Sequence, residues 1–193
     1  MLRAMPRSGA EARNRLERAA LELYAEHGYN GTTTAEIAAR AGVTERTFFR
    51  HFADKREVLF HVQTRLDAAL GRALAEVPPE LPPISAVLEA FRRMAASIEE
   101  DPELAAARNR IISSTPALQE RELAKAAGMA ALVADALRSR GLQAARASLL
   151  ARVSVTALSH AVQAWTTNPS AVLDDFIVGA FTDLQELTQP EIR

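Results

Sequence analysis

Gly42 separates two short helical segments, and this spacing constrains the fold more than any other feature of the chain. Thr33 and Glu36 match a capping box, in which each side chain satisfies a free backbone N–H at a helix start. Thr44 provides a second N-cap, and the helix that follows it is predicted over residues 45–51. Because Gly42 lets the chain reverse without a Cβ clash, the pattern predicts a helix-turn-helix.

Apolar residues on both sides of this turn are expected to hold the second helix at a fixed angle. Ile37, Val43 and Phe48 can pack together. Phe52 lies four residues after Phe48, so both aromatic side chains are assigned to the inward face. A helix held in this way can project from the body of the protein, and the major groove of DNA admits one helix. The second helix is therefore a candidate reading helix.

The rest of the chain also favours helix over strand. Ala, Leu, Glu and Arg dominate, aromatic residues make up only 5%, and no segment alternates as a strand would. Four prolines within residues 77–83 predict a stiff connection that is not helical. Start and stop signals predict further helices over residues 9–27, 84–100, 102–112, 116–139, 143–167 and 169–188. Asp54 caps another, longer helix, whose apolar positions include Val58 and Leu70. The expected fold class is all-α, with about nine helices.

Residue patterns that enzymes and metal sites require are missing. The chain has no cysteine, which excludes disulfides, thiolate metal sites and cysteine nucleophiles. Its four histidines show no HExxH or paired i, i+4 spacing, and no G-x-S-x-G, phosphate-binding loop or dinucleotide fingerprint is present. We therefore expect no catalytic residues, no metal site and no cofactor, and we do not expect an enzyme.

Charge and hydropathy place only weak limits on the kinds of partner that this chain can bind. The formal net charge is −1, while residues 1–60 hold ten Lys or Arg against eight Asp or Glu, a balance of +2. This asymmetry permits a nucleic-acid face near the N-terminus without establishing one. The uncharged stretch 153–173 contains polar residues and the helix-breaking Asn168-Pro169, so it is interpreted as buried protein surface rather than a membrane span. The N-terminus lacks a signal peptide's apolar run, and we expect a soluble, cytoplasmic protein.

Residues 31–55, GTTTAEIAARAGVTERTFFRHFADK, resemble the DNA-binding signature of the TetR family of bacterial transcriptional regulators. The preceding residues 25–29, AEHGY, are similar to the end of that family's first helix. The strong similarity covers about residues 11–60, and the remainder agrees only in length and helical architecture. The resemblance implies a three-helix DNA-binding domain at residues 1–54, followed by a larger helical domain at 55–193 that binds a ligand and dimerises.

The resemblance also implies which residues meet DNA: the phosphate contacts come from the start of the second helix and from a later lysine, and the rest lie on the reading helix. These residues are Thr34, Glu45, Arg46, Thr47, Phe49, Arg50, His51 and Lys55. Phe49 departs from the family's usual tyrosine, so a phosphate hydrogen bond is lost there. Arg46 is the strongest candidate for base reading, since arginine pairs bidentately with guanine. Glu45 either accepts from a cytosine or is a solvated acid favoured by the helix dipole.

Two further sets follow from the larger domain. A helix that is apolar beyond one stripe must bury a second face, and the family's last two helices form the dimer; a monomer with these faces covered internally is the rival interpretation. The interface set is Leu149, Val153, Ala157, Leu173, Phe176, Ile177, Ala180, Phe181 and Leu184. The resemblance implies a pocket for a small molecule, and the apolar residues that would line this pocket favour a hydrophobic ligand. Each of these residues also fits an ordinary hydrophobic core. The pocket set is Leu66, Phe91, Met94, Ile98, Ile111, Met129, His160 and Trp165.

The expected function is that of a ligand-responsive transcriptional regulator. The resemblance implies a homodimer that binds a palindromic operator in double-stranded DNA, acts as a repressor, and is released by a small hydrophobic effector that changes the tilt of the fourth helix. The alternatives are an activator of the same family and a helical protein-interaction scaffold that binds no DNA. A scaffold would have no need for Arg46, Arg50 and Lys55 around a reading helix.

Overall fold

The computed structural model describes residues 7–168 and 170–188, and within these ranges the chain is helical with no strand. The all-α prediction is confirmed. In chain order the helices are α1 (Arg7–Gly31), α2 (Thr34–Arg40), α3 (Glu45–His51), α4 (Glu57–Phe60), α5 (Val62–Glu76), α6 (Pro83–Ala95), α7 (Pro102–Ser114), α8 (Pro116–Ser139), α9 (Ala144–Trp165) and α10 (Leu173–Thr188).

One expected helix is observed in two pieces. α4 and α5 follow one another through His61, whose backbone is also helical (φ −64°, ψ −27°). They correspond to the single longer helix expected after Asp54, and α5 ends at Glu76. Asp54 accepts from the backbone N–H groups of Arg56 and Glu57 at 2.8 and 2.9 Å, so it closes the turn that precedes α4.

Helix ends differ from expectation where tertiary contacts or tighter turns intervene. α6 ends at Ala95 instead of residue 100 because the N–H groups of Ser97 and Ile98 bond to carbonyls three residues back. α10 begins at Leu173 instead of residue 169, which lies outside the described residues. The Leu173 N–H donates to the carboxylate of Glu99 at 2.6 Å. A residue 74 positions away therefore caps this helix.

Contacts divide the chain into two compact units with different boundaries from the expected division at residue 54. Unit 1 comprises the described residues through Val62 together with Ala107–Leu118, and unit 2 comprises Gln63–Ala106 and the described residues from Gln119 onward. α4 lies in unit 1, where it contacts α1, and its residues Val58, Leu59 and Phe60 are all buried. Arg108 joins the same unit by donating to the Leu59 carbonyl and lying over the Phe60 ring.

In unit 1, α1, α2 and α3 surround a small apolar core. Gly28 interrupts α1 with φ 75° and ψ 159°, so the regular helix ends there as expected and one further turn reaches Gly31. The largest fully buried side chains include Leu16 on α1, Ile37 on α2 and Phe48 on α3. The Phe48 and Phe52 rings lie 5.7 Å apart. This core fixes the position of α3.

Unit 2 is built on α6, α9 and α10. The rings of Phe91 and Phe181 meet edge to face, with their centroids 6.1 Å apart. Arg92 of α6 forms a bidentate ion pair with Asp174 of α10, with nitrogen–oxygen distances of 2.7 and 2.9 Å. Between α9 and α10, the indole N–H of Trp165 donates to the Ala171 carbonyl at 2.8 Å.

The proline-rich connection between α5 and α6 is held by one guanidinium. Arg140, just after α8, donates to the carbonyls of Val77, Pro78, Pro79 and Leu81 at distances from 2.8 to 3.3 Å. Proline supplies no N–H, so carbonyls in this segment have few internal donors. A residue about 60 positions away in sequence therefore gives the connection its shape.

We expect Arg140→Met to lower the free energy of unfolding by about 1–3 kcal/mol, because several carbonyls lose a charged donor. Arg138→Met is the matched control, since Arg138 is half exposed and pairs with Asp135 on its own helix, and its effect should stay within about 0.5 kcal/mol. Urea unfolding at one protein concentration measures both. Equal losses in the two variants would contradict this role of Arg140.

Candidate nucleic-acid interface

The turn between α2 and α3 is a Schellman motif centred on Gly42. Gly42 has φ 67°, a conformation that favours glycine. Its N–H donates to the Ala39 carbonyl at 3.0 Å, and the Val43 N–H donates to the Ala38 carbonyl at 2.9 Å. At the other end of α2, Thr33 and Glu36 form the full capping box. α2 therefore has both ends satisfied by local hydrogen bonds.

α3 starts from the Thr44 cap and buries one side. The Thr44 hydroxyl oxygen accepts from the Thr47 N–H at 3.2 Å. Phe48 is fully buried, and the exposed residues of the helix occupy the opposite side with i, i+1, i+4, i+5 spacing. These exposed residues are Glu45, Arg46, Phe49 and Arg50. We call this set the α3 outer face.

Two guanidinium groups on the α3 outer face are available for a ligand. Within the described part of the chain, neither Arg46 nor Arg50 forms an ion pair or a hydrogen bond. Phe49 lies four residues after Glu45 and exposes 54% of its surface. Cations beside an exposed aromatic ring can contact phosphates and bases, and an apolar ring can contact a thymine methyl group.

Two of the expected contact residues are already bonded to each other. The Thr34 hydroxyl at the start of α2 donates to a carboxylate oxygen of Glu45 at 2.6 Å, and both side chains are accessible to solvent. This hydrogen bond joins the first residue of α2 to the first residue of α3. It could not be read from the sequence, because the two residues are eleven positions apart and in separate helices.

His51, at the end of α3, is turned partly inward. Its Nε2 is buried and has no hydrogen-bond partner among the described residues. Burial lowers the pKa of this imidazole, and the charges of Arg50 and Arg13 lower that pKa further. The neutral form is therefore favoured near neutral pH, and His51 adds no fixed positive charge to the interface.

Lys55 is committed to the protein's own backbone. Its Nζ donates to the carbonyls of Tyr29 and Thr32, both at 2.8 Å, and lies 4.5 Å from the centre of the Tyr29 ring. The Tyr24 hydroxyl in turn donates to the Lys55 carbonyl at 2.6 Å. Burial raises the pKa of Tyr24, so the phenol keeps its proton. These bonds tie the segment after Gly28 to the start of α4.

Sequence reasoning missed the residues that orient α2. Arg40, in the last turn of α2, donates to both carboxylate oxygens of Glu26 at 3.0 and 2.8 Å and to Glu22 at 3.3 Å. The bond to Arg40 lowers the pKa of Glu26. The i, i+4 spacing of Glu22 and Glu26 was the available signal, since it puts both acids on one face of α1.

The expected pocket residues fall in different places. Phe91, Met94, Met129 and Trp165 lie inside the core of unit 2, with Leu66 and Ile98 packed against it. Ile111 belongs to unit 1 and His160 is exposed on α9. The structure thus brings six of the eight together. Their shared surroundings are apolar.

The expected interface residues on α9 and α10 separate into a buried set and an outward set. Leu173, Ile177 and Phe181 are buried within the protomer's own core. The outward set is partly buried or exposed and comprises Leu149, Val153, Ala157, Phe176, Ala180 and Leu184. A cleft of about 320 Å³, the α9–α10 cleft, is lined by Phe176 and Ala180 of this set, by the small residues Ala161, Ala164 and Gly179, and by His160, Asp175 and Asp183.

Among the described residues, histidine, aspartate and glutamate side chains form no group of three that could ligate a metal ion. Nor is any helix in those ranges long and apolar enough to cross a membrane.

Comparisons with known proteins agree with this architecture. Residues 17–62 match the family model described as "Bacterial regulatory proteins, tetR family", and residues 81–189 match the "MftR C-terminal domain". The regulator TcmR of Streptomyces glaucescens is 34% identical over 134 residues, which are 66% of this chain and 59% of TcmR. The transcriptional activator FasR of Mycolicibacterium smegmatis is 29% identical over 179 residues, covering 87% of this chain and 78% of FasR.

Solved structures share the fold at lower identity. A SmeT–triclosan complex has a TM-score of 0.65 and 21% identity, covering 91% of this chain and 90% of that one. Thermus thermophilus FadR with lauroyl-CoA has a TM-score of 0.60 and 22% identity, covering 94% and 97%. One family model spans the helix-turn-helix and the other spans more than half of the 193 residues, and this chain therefore belongs to the TetR family of bacterial transcriptional regulators.

Proposed function

We propose that this regulator binds a palindromic operator as a cytoplasmic homodimer, represses transcription, and is released by a small hydrophobic effector. The observation that carries the proposal is the α3 outer face. Arg46 and Arg50 project from a helix whose other side is locked by Phe48, and within the described residues they have no partner in the protein. Arginines held on a rigid helix without internal partners suit DNA recognition.

The roles proposed for the contact residues follow their surroundings. Arg46 reads a base, while Arg50 and Thr47 contact the backbone, and Phe49 makes apolar contact. His51 contributes as a neutral group. Lys55 acts through the segment that it holds, because two main-chain carbonyls already surround its ammonium at 2.8 Å.

A homodimer would supply the second reading helix. One helix-turn-helix contacts few base pairs, and two-fold dimers read half-sites separated by whole turns of DNA. The outward apolar positions of α9 and α10 support this assembly, and Leu149 alone leaves 66% of its surface exposed. Small residues around the α9–α10 cleft leave room for side chains of a second copy.

A hydrophobic effector would enter the core of unit 2. Phe91, Met94, Met129 and Trp165 share that core, and methionine side chains adapt readily to new neighbours. Relatives of the same fold were solved with triclosan and with lauroyl-CoA. A molecule with a large apolar part, such as an aromatic group or an acyl chain, is the class of effector that these surroundings favour.

Activation is the second candidate, since the similar protein FasR is described as an activator. Both candidates require DNA binding, whereas the scaffold alternative does not. A mobility-shift assay with DNA upstream of the coding gene separates the regulators from the scaffold, and transcription from that DNA separates repression from activation.

Arg46→Ala should weaken binding about tenfold and relax selection at one position in each half-site, because a bidentate arginine–guanine pair discriminates by about 1–3 kcal/mol.

Lys55→Ala should weaken binding on every sequence alike, and an unchanged salt slope would support its role through segment 29–32. A salt slope lower by about one would instead indicate a direct phosphate contact by Lys55. Arg72→Ala, an exposed arginine on α5, is the matched control for lost charge.

Ala180→Arg should dissociate the dimer, because a long cation would occupy the α9–α10 cleft. Sedimentation velocity measures the change from dimer to monomer, and DNA affinity should fall with it. Ala131→Arg places the same side chain on an exposed position of α8 and should leave the dimer intact. A dimeric Ala180→Arg protein with unchanged affinity would place the interface elsewhere.

Effector binding should change the fluorescence of Trp165, the single tryptophan of the chain, because its indole is buried in the core of unit 2. Lauroyl-CoA and triclosan are suitable probes. We expect a probe that releases DNA to shift the Trp165 emission and to raise the unfolding temperature. Release of DNA without any change at Trp165 would place the effector outside this core.

A further inference from the structure

The hydrogen bond between Thr34 and Glu45 gives the α3 outer face an oriented carboxylate. Thr34 donates to one carboxylate oxygen at 2.6 Å. Among the described residues the other oxygen accepts no hydrogen bond, and Glu45 forms no ion pair with Arg46 or Arg50. One carboxylate oxygen is therefore left open on the face that also carries the two guanidinium groups.

A fixed negative charge on a DNA-binding face selects what it can meet. Phosphates repel it, and so do the acceptor atoms of guanine and thymine in the major groove. Adenine offers an amino group, but the N7 acceptor beside that group also repels a carboxylate. Cytosine offers the N4 amino donor without an acceptor on that edge, so cytosine is the base that a carboxylate tolerates best.

The same hydrogen bond limits what Thr34 can do. A threonine hydroxyl carries one proton, and that proton is directed at Glu45. Thr34 cannot donate it to a phosphate unless the pair breaks. Its hydroxyl is therefore placed to hold the Glu45 side chain in one orientation.

We propose that Glu45 selects a cytosine in each half of the operator and that Thr34 is the positioning residue that aims its carboxylate. This inference rests on the proposed DNA-binding function. Glu45 then acts mainly by rejecting other bases, while Arg46 supplies attraction at its own position. The pair makes the start of α3 a determinant of operator sequence.

Selection from a random library of duplex DNA, followed by sequencing, tests the inference. The wild-type protein should prefer cytosine about tenfold at one position per half-site, a typical ratio for one good base contact. Glu45→Gln should change that preference to adenine, because glutamine offers both a donor and an acceptor. Glu45→Ala should remove the preference and bind unselected DNA more tightly, since a repulsive charge is gone.

Thr34 variants separate positioning from general structure. Thr34→Val keeps the shape but loses the donor, and it should weaken the cytosine preference while the position read by Arg46 keeps its own. Thr34→Ser keeps the hydroxyl donor and should therefore keep the cytosine preference. Thermal unfolding of each variant confirms that the helices remain folded.

Two negative results have different meanings. If Glu45→Ala selects the same sequence as the wild type, Glu45 is a solvated acid and the inference fails while DNA binding stands. If the wild-type protein selects no sequence at all, the proposed function fails and the inference fails with it.

Discussion

The turn at Gly42 is the constraint on which the DNA-binding unit depends. Its positive φ lets Val43 and Gly42 bond back to α2, and Thr44 then starts α3 within two residues. Because the connection is so short, burial of Phe48 fixes the whole of α3. The α3 outer face is the consequence, since every residue on that side is turned away from the core.

Several charged groups of this unit stabilise the protein itself. Lys55 holds the segment that follows Gly28, and Arg40 joins α2 to Glu22 and Glu26 of α1. Arg46 and Arg50, in contrast, bond to nothing among the described residues. A count of positive charges would treat these four residues alike, whereas their partners separate support of the helices from contact with a ligand.

α10 has two apolar stripes that lie in different surroundings. The residues i, i+4 and i+8 from Leu173 pack into the core of unit 2, and the neighbouring stripe through Phe176 and Ala180 is only partly buried. Both stripes have helical spacing and similar hydrophobicity. Only the position of α6 and α9 decides which stripe is internal, so the sequence could propose the two together but could not separate them.

Local sequence signals by themselves determined much of the secondary structure of this protein. Capping residues, Gly42 and apolar spacing predicted α2, α3 and the all-α class, because such signals act within four or five residues. Contacts between distant residues were decided by tertiary structure alone: Glu99 capping α10, Arg140 holding the proline-rich connection, and Thr34 bonded to Glu45. Each depends on where two distant segments of the chain meet, and side-chain spacing along one helix carries no information about that.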